Sequence, residues 1–537
     1  MRARAMGPTG RHALWITFAV LALWIFATRW TLQYEPLERD ITTYAVAGRE
    51  ILTGRALYSD LWDHKPPGIH LIFAGATALV GPGVPAVLLV NVALSIIVMV
   101  GLMSAARRIV GTPGAIVVGV LWAVVGSDLG LQANQPNVEL PMNACIAWAL
   151  AASFAGRSRP TFSAAWATGA LTACGVLLKP VVAAPLGLLA VVDASQRWRR
   201  GGATATLVFF GRWFGGVLLG LAPVMTWCIL RAGYEPVWDA LVRYNLAYGE
   251  GRLLANLFEF LHIGTFLPLK SGVVIGLLAL AGITGLREMT PSDRSRVLAV
   301  LVGSAIAISA PGRFYPHYFQ LLLPPLVLAA AIGLTHALSR TGVRRLIALA
   351  VLAALGTIQF QSLRLPADEW SRQKYGEVFL DERRLAVHLK KYVEPGDSFW
   401  QLGAQPGLYL LTETVPASGV LYDYPLLRNS PVRERLAARV IVDLAKSRPK
   451  TLVVHDRGGD RGVFSWIRKH YRIIDDVSPV ENYHLLVLDD SKSLNHYRLP
   501  DSSELPILVD GFEDGVTTGW SQHPTGTQER TASPPIR

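Results

Sequence analysis

Only 17% of the 537 residues are charged. Against that background the segment Leu37–Gly68, LERDITTYAVAGREILTGRALYSDLWDHKPPG, carries Glu38, Asp40, Asp60, Asp63, His64 and Lys65. A stretch this polar between apolar regions is a solvated loop or a working surface. Asp40 stands at the head of TTYAVAGREIL. There it can cap a helix and favour the positive end of its dipole, or act as a general base or charge partner for a substrate. Asp60, Asp63 and His64 offer donors for a divalent ion, although their spacing lacks the regular scaffold of a metal site. Lys65, between an aromatic residue and a Pro-Pro turn, reads as a lipid-headgroup anchor or as a point charge for a phosphate.

Four more residues fall at the ends of apolar runs. Glu139, in NQPNVELPMNA, opens one. An ionisable group there is a functional candidate, or it favours the N-terminal end of a helix dipole. Lys179 ends another run and is either a snorkelling lysine or a second phosphate contact. His317 and Tyr318 share one loop, as members of an aromatic belt or as substrate contacts. Arg243 and Tyr244, in the segment 232–269, carry a weaker signal.

The elements that must hold these groups are membrane helices. Hydrophobic residues make up 51% of the chain. Windows of sufficient apolar length fall at 13–29, 84–106, 113–128, 139–156, 163–178, 180–194, 205–231, 270–286, 297–311, 320–338 and 344–361, about 11 spans. Pro180 divides the long run around it. The run 69–80 is too short to span and fits a helix lying in the interface, as does the amphipathic 42–52. The N-terminal run ends in Arg29-Trp30 without a small-x-small pattern and reads as an uncleaved first span.

If 69–80 does not cross, the basic clusters fall on one side. They are Arg2, Arg4 and Arg11; Arg107-Arg108; Arg157 and Arg159; 197–200; Arg287, Arg294 and Arg296; and Arg340, Arg344 and Arg345. The positive-inside rule then predicts a cytoplasmic N-terminus and an extracytoplasmic C-terminus. The net charge of +12 is accounted for in this way, and no nucleic-acid partner is expected. Cys145, Cys174 and Cys228 all lie in apolar windows and read as buried thiols without disulfides or zinc.

After about residue 362 the chain changes character. Residues 381–394 and 431–447 have helical spacing, while DSFWQLG, TLVVHD and YHLLVLD read as strands. The predicted organisation is a transmembrane domain 1–364 with an outer loop 30–83, a small α/β domain 365–500, and a flexible tail 501–537.

Asp40 after an arginine, Tyr44 four residues on, a later Gly-x-x-Tyr-like stretch, and D-x-W-D-x-K-P-P-G together resemble the first outer loop of the C-type (GT-C) membrane glycosyltransferases. The likeness is greatest to bacterial relatives of protein O-mannosyltransferases and of the lipid A aminoarabinose transferase. GRFYPHYFQLLLPP (312–325) and QLGAQPGLYLLTETVPAS (401–418) resemble further segments of that class. The resemblance implies transfer of a sugar from a polyprenyl-phosphate carrier to a lipid, glycan or protein acceptor at the outer face of the inner membrane. It places Asp40 on the catalytic acidic residue and Lys65 on the carrier-phosphate contact. It makes Glu139 the second acidic residue; Tyr44, His64, His317, Tyr318 and Lys179 are the further residues expected at the substrate site. Many relatives carry a second acid directly after the first. Ile41 stands there in this chain, which disfavours a divalent metal, and no cofactor is expected. Two other readings remain. A lipid-linked sugar flippase would show an inverted repeat and mid-membrane charges. A surface-glycan polymerase or ligase would lack the early Asp40–Lys65 arrangement.

Overall fold

The computed structural model describes residues 8–156, 162–248, 252–455, 461–474 and 478–489. Each apolar window is helical. The first seven helices are α1 (Pro8–Trp30), α2 (Arg39–Leu52), α3 (Gly68–Val80), α4 (Val84–Val125), α5 (Glu139–Ala155), α6 (Phe162–Val176) and α7 (Ala183–Ala232). Leu269–Glu288, Pro291–Ser309, Leu323–Leu338 and Val343–Leu363 complete the apolar set.

α4 has 42 residues and α7 has 50. At 1.5 Å per residue these would be about 63 and 75 Å long, over twice the hydrocarbon thickness of a bilayer. Both are broken. Gly111 has φ 78° and Gly202 has φ 66°, values that only glycine adopts without steric cost. Each is therefore two helices, divided where the sequence divides 84–106 from 113–128 and 180–194 from 205–231. Among the described residues, six helical stretches are each long and apolar enough to cross a membrane, and the protein is a multi-pass membrane protein. α3, with 13 residues, spans only about 20 Å.

The helix ends gather into two polar faces. On one, Arg29 at the end of α1 donates to Asn91 Oδ1 (3.2 Å) and to the Gly126 carbonyl (2.8 Å), joining both ends of α4. On the other, Arg296 reaches Asp193 Oδ1 and Ser153 Oγ, each at 2.8 Å, and Gln196 donates to the Ser292 carbonyl. Among the described basic clusters, Arg107-Arg108 precede the break at Gly111, 197–200 precede that at Gly202, and the other two lie in or beside the turns 288–291 and 338–343. Arg2, Arg4, Arg157 and Arg159 lie outside the described residues.

The first face carries a five-stranded sheet. Its strands are β1 (Ser398–Leu402), β2 (Val415–Pro416), β3 (Thr451–His455), β4 (Tyr471–Ile473) and β5 (Tyr483–Leu488), in the order β2-β1-β3-β5-β4. β1 is parallel to β2 and β3, and β5 is antiparallel to β3 and β4. The strands 398–402, 451–455 and 483–488 match the sequence reading, and the first two are buried on nearly every residue. The two short strands β2 and β4 carry too few residues to show a pattern. The tail 501–537 lies outside the described residues.

Three expectations need correction. The helix 42–52 is not an interface helix with one buried face. α2 is buried nearly throughout, because α3 covers one side and the sheet domain the other. Val46 and Trp62 belong to the sheet domain's own hydrophobic core. Arg49 donates to the Thr414 carbonyl (2.7 Å), Arg55 to the Pro416 carbonyl (3.1 Å), and the Trp62 amide to the Gly419 carbonyl (2.9 Å). Second, the N-cap of α2 is Glu38, whose side chain accepts the Asp40 amide at 2.9 Å, so Asp40 does not cap. Third, Cys174 is exposed on α6, while Cys145 and Cys228 are buried.

Candidate active site

With capping left to Glu38, the carboxylate of Asp40 is available to another partner. Lys65 Nζ lies 2.9 Å from Asp40 Oδ2, with the lysine side chain 13% exposed and that of the aspartate 32%. Lys65 also lies over the Tyr44 ring, 4.8 Å from its centre. The Tyr44 hydroxyl is 3.4 Å from both Asp40 Oδ2 and Asn137 Oδ1. Burial pushes the Asp40 carboxyl upward, but the Lys65 ammonium overrides it and brings the pKa down to about 2. Burial disfavours the Lys65 charge in turn, and the carboxylates of Asp40 and then Asp63 hold its pKa above the usual lysine value. Burial, with the Asp40 charge beside it, raises the Glu38 carboxyl to about 8; the Arg39 and Lys65 cations pull it down but do not prevail.

A second lysine–carboxylate pair lies near enough for the Lys179 charge to oppose that of Lys65. Glu139 opens α5 and is fully buried; its Oε1 takes Lys179 Nζ at 3.0 Å. Lys179 also lies 3.7 Å from the centre of the Tyr318 ring. It is therefore not a snorkelling lysine: a buried carboxylate and an aromatic face hold it inside. Glu139 Oε2 is buried without a hydrogen-bond partner. His317 shares Nδ1 with Gln132 Oε1 at 2.9 Å and packs edge-on to Tyr318. Gln132 (φ 55°) and Phe314 (φ 47°) adopt left-handed backbone conformations beside it, where strain of about 1–3 kcal/mol persists only when packing enforces it.

The turn 62–68 is fixed from several directions. The Tyr58 hydroxyl donates to the Lys65 carbonyl at 3.0 Å, and Asn245 donates to the His64 carbonyl at 2.8 Å. The Gly68 amide donates to the Leu177 carbonyl at 2.8 Å. A Cβ on Gly68 would stand 2.6 Å from that oxygen, which is why glycine follows the two prolines. Lys65 and Lys179 approach the site from the two chains joined by this contact.

Asp63, 2% exposed, is the turn's internal anchor. Oδ1 accepts the His64 amide (2.7 Å) and the Tyr422 hydroxyl (3.0 Å), and Oδ2 bonds His70 Nε2 (2.8 Å). Burial would raise the Asp63 carboxyl, but the His64 and His70 rings, with the Lys65 ammonium beside them, hold it well below its ordinary value. Asp60 instead accepts the Ala56 amide of its own turn. The two carboxylates are thus engaged separately, and no cluster of three potential metal ligands occurs among the described residues. His64 stacks on Tyr248 at 5.5 Å and leans on Tyr244 at 5.2 Å.

The structure thus brings Asp40, Lys65 and Tyr44 together, sets Glu139, Lys179, Tyr318 and His317 beside them, and turns His64 toward the loop tyrosines. The sequence reading did not single out Glu38 as the cap, nor Gln132, Asn137, His70 or Tyr422. His70 carried a signal, as a lone imidazole in an otherwise apolar helix. Tyr422 carried none.

Residues 64–229 match the model of the family described as dolichyl-phosphate-mannose-protein mannosyltransferase. The match includes Lys65, Glu139 and Lys179 and begins after Asp40. No curated protein matches the chain significantly. Among solved structures, ArnT from Cupriavidus metallidurans bound to undecaprenyl phosphate is 15% identical, with a TM-score of 0.58 over 91% of this chain and 99% of that one. The apo form of the same protein gives 0.59 over 90% and 99%, at 15% identity. Arabinofuranosyltransferase AftD from Mycobacteria gives 0.50 at 18% identity, over 89% of this chain and 41% of that one. The chain has the fold of the C-type membrane glycosyltransferases, the class its motifs resemble.

Proposed function

We propose that the protein transfers a sugar from a polyprenyl-phosphate carrier to an acceptor hydroxyl at the outer face of the cytoplasmic membrane. In this reading the sheet-bearing face is extracytoplasmic and the N-terminus cytoplasmic, as the basic clusters on the opposite face favour. The observation that carries the reading is the Asp40–Lys65 pair at 2.9 Å, because the reaction needs both signs of charge at one point.

The acceptor oxygen attacks the anomeric carbon and its proton passes to the Asp40 carboxylate. The bond from that carbon to the phosphate oxygen breaks, and both electrons leave on the carrier phosphate. Lys65 meets the charge that develops there. In the resting site each group neutralises the other. Donor phosphate competes for Lys65, and Asp40 regains basicity as the ammonium turns to the phosphate. Glu139 and Lys179 repeat the arrangement across Tyr318, with Lys179 as a second phosphate contact. Tyr44, His64, His317 and Tyr318 form the walls around sugar and phosphate. The reading requires no cofactor: the two lysines supply the positive charge.

The test uses full-length protein in membranes, with a labelled polyprenyl-phosphate sugar pool, and binding of undecaprenyl phosphate to purified protein. Asp40→Asn is expected to cut transfer by about 10²-fold or more while leaving undecaprenyl phosphate bound. Lys65→Ala is expected to weaken that binding. Full transfer in both variants would sink the reading.

A further inference from the structure

Beside the Asp40–Lys65 pair, on the far side of His64, lies a half-open cavity of about 220 Å³ that neither carboxylate–lysine pair uses. Its lining comes from the segment after α7, through Tyr244, Ala247 and Tyr248, and from the sheet domain, through Arg428, Asn429 and Ser430. It has room for several waters, or for one monosaccharide unit. The Arg428 guanidinium lies over the Tyr248 ring, 4.6 Å from its centre, and Arg313 lies over the same ring at 5.2 Å. Among the described residues no carboxylate pairs with Arg428. Ser430 Oγ is buried without a hydrogen-bond partner.

A half-buried guanidinium stacked on a tyrosine is pre-ordered and weakly hydrated, and its planar fork suits the oxygens of a phosphate or carboxylate. Asn429 and Ser430 add a neutral amide and hydroxyl, as a polyol needs. Tyr244 and Tyr248 add amphipathic rings that take a sugar face at low entropic cost. The Tyr248 ring stacks on His64, the residue before Lys65, so a ligand in the cavity abuts the turn that carries the proposed phosphate contact.

We propose that this cavity binds the anionic group of the acceptor, and that the acceptor is therefore a glycan or glycolipid headgroup bearing a phosphate or carboxylate on a sugar. The assignment rests on the transfer reaction proposed above. The same oxygens could be brought by a second phosphate on the donor carrier, so the test separates the two sources.

Purified full-length protein is titrated with glucose 6-phosphate, glucuronate, glucose, undecaprenyl phosphate and undecaprenyl diphosphate. Glucose 6-phosphate and glucuronate are expected to bind at least tenfold more tightly than glucose. Arg428→Gln should weaken both about tenfold, with Ser430→Ala acting in the same direction, and leave undecaprenyl phosphate binding unchanged. Lys65→Ala should do the reverse. Thermal unfolding of Arg428→Gln checks that the fold is kept, and Ser430→Ala carries the test if it is not. Equal binding of glucose and glucose 6-phosphate, or unchanged binding in both cavity variants, overturns the proposal. So does loss of undecaprenyl diphosphate binding in Arg428→Gln without loss of glucose 6-phosphate binding, which would assign the cavity to the donor. Failure of Lys65→Ala to affect undecaprenyl phosphate would instead overturn the transfer reading.

Discussion

The Tyr422 hydroxyl donates to Asp63 Oδ1 at 3.0 Å across 359 positions of sequence. The donor comes from the sheet domain and the acceptor from the turn that carries Lys65. Asp63 also bonds the His64 amide and the His70 ring, so the hydroxyl is one of three groups that hold this buried carboxylate in place next to the lysine. Tyr422→Phe removes it without changing shape. A hydrogen bond to a charged group is worth about 1.5–3 kcal/mol. The expected result is a KM for the lipid donor raised about tenfold, with the acceptor KM unchanged. A purely structural bond would lower the unfolding temperature and move both constants alike.

Glu139 and Lys179 form a buried pair, and breaking such a pair from one side strands a charge at a cost of about 3–5 kcal/mol. Glu139→Gln and Lys179→Met are each expected to lower the unfolding temperature by more than the double variant does. A thermal double-variant cycle in detergent checks the sign. Additive losses would show that the two side chains are not coupled.

Glu38 has its pKa raised from 4.5 to about 8 by burial and by Asp40. The folded state therefore holds a proton that the unfolded chain releases. The associated stability is fully present below about pH 4.5 and is lost as pH rises toward 8. Glu382, raised by burial to about 8 as well, adds to the same slope. Asp40 has the opposite sign: its stability is present above its ordinary value of 3.8 and is lost as pH falls toward 2. Glu38→Gln should flatten the decline between pH 5 and 8 and leave the acid limb intact. Unfolding temperature across pH measures both.

Gly68→Ala puts a methyl group 2.6 Å from the Leu177 carbonyl. The contact between the Lys65 turn and the end of α6 must open, at about 1–3 kcal/mol. Transfer should fall several-fold further than the loss of folded protein explains, because both lysines hang from the chains this contact joins. Activity per folded molecule, measured against the unfolding curve, tests it.

Much of this architecture was legible because it is local. Apolar length sets the spans, and the 13 residues of α3 were too few to be counted among them, which kept the basic clusters on one side. Asp40 and Lys65 were legible as a motif within 26 residues of each other in the sequence. The rest depended on what packs against what. The amphipathic pattern of α2 suggests one covered face, and only the sheet domain, formed far downstream, shows that both are covered. Lys179 looks like a snorkelling residue until Glu139, from another helix, is placed beside it. Capping by Glu38 rather than Asp40 turned on a choice between two adjacent acids that propensity alone does not separate.

Trp62 and Val46 complete the hydrophobic core of the sheet domain, and the chain makes them long before the strands they join. At about 5–20 residues per second, synthesis runs on for roughly 20–70 s after Trp62 before Gly419 and Val420 exist to receive it. Through that interval the first loop stands outside the membrane with half its partners unmade. The sheet domain is the last described part to be made, so the contacts it gives the Lys65 turn form only after the membrane helices. A chain halted before residue 398 would carry Asp40, Lys65, Glu139 and Lys179 but lack the Tyr422–Asp63 and Trp62–Gly419 bonds that fix the Lys65 turn.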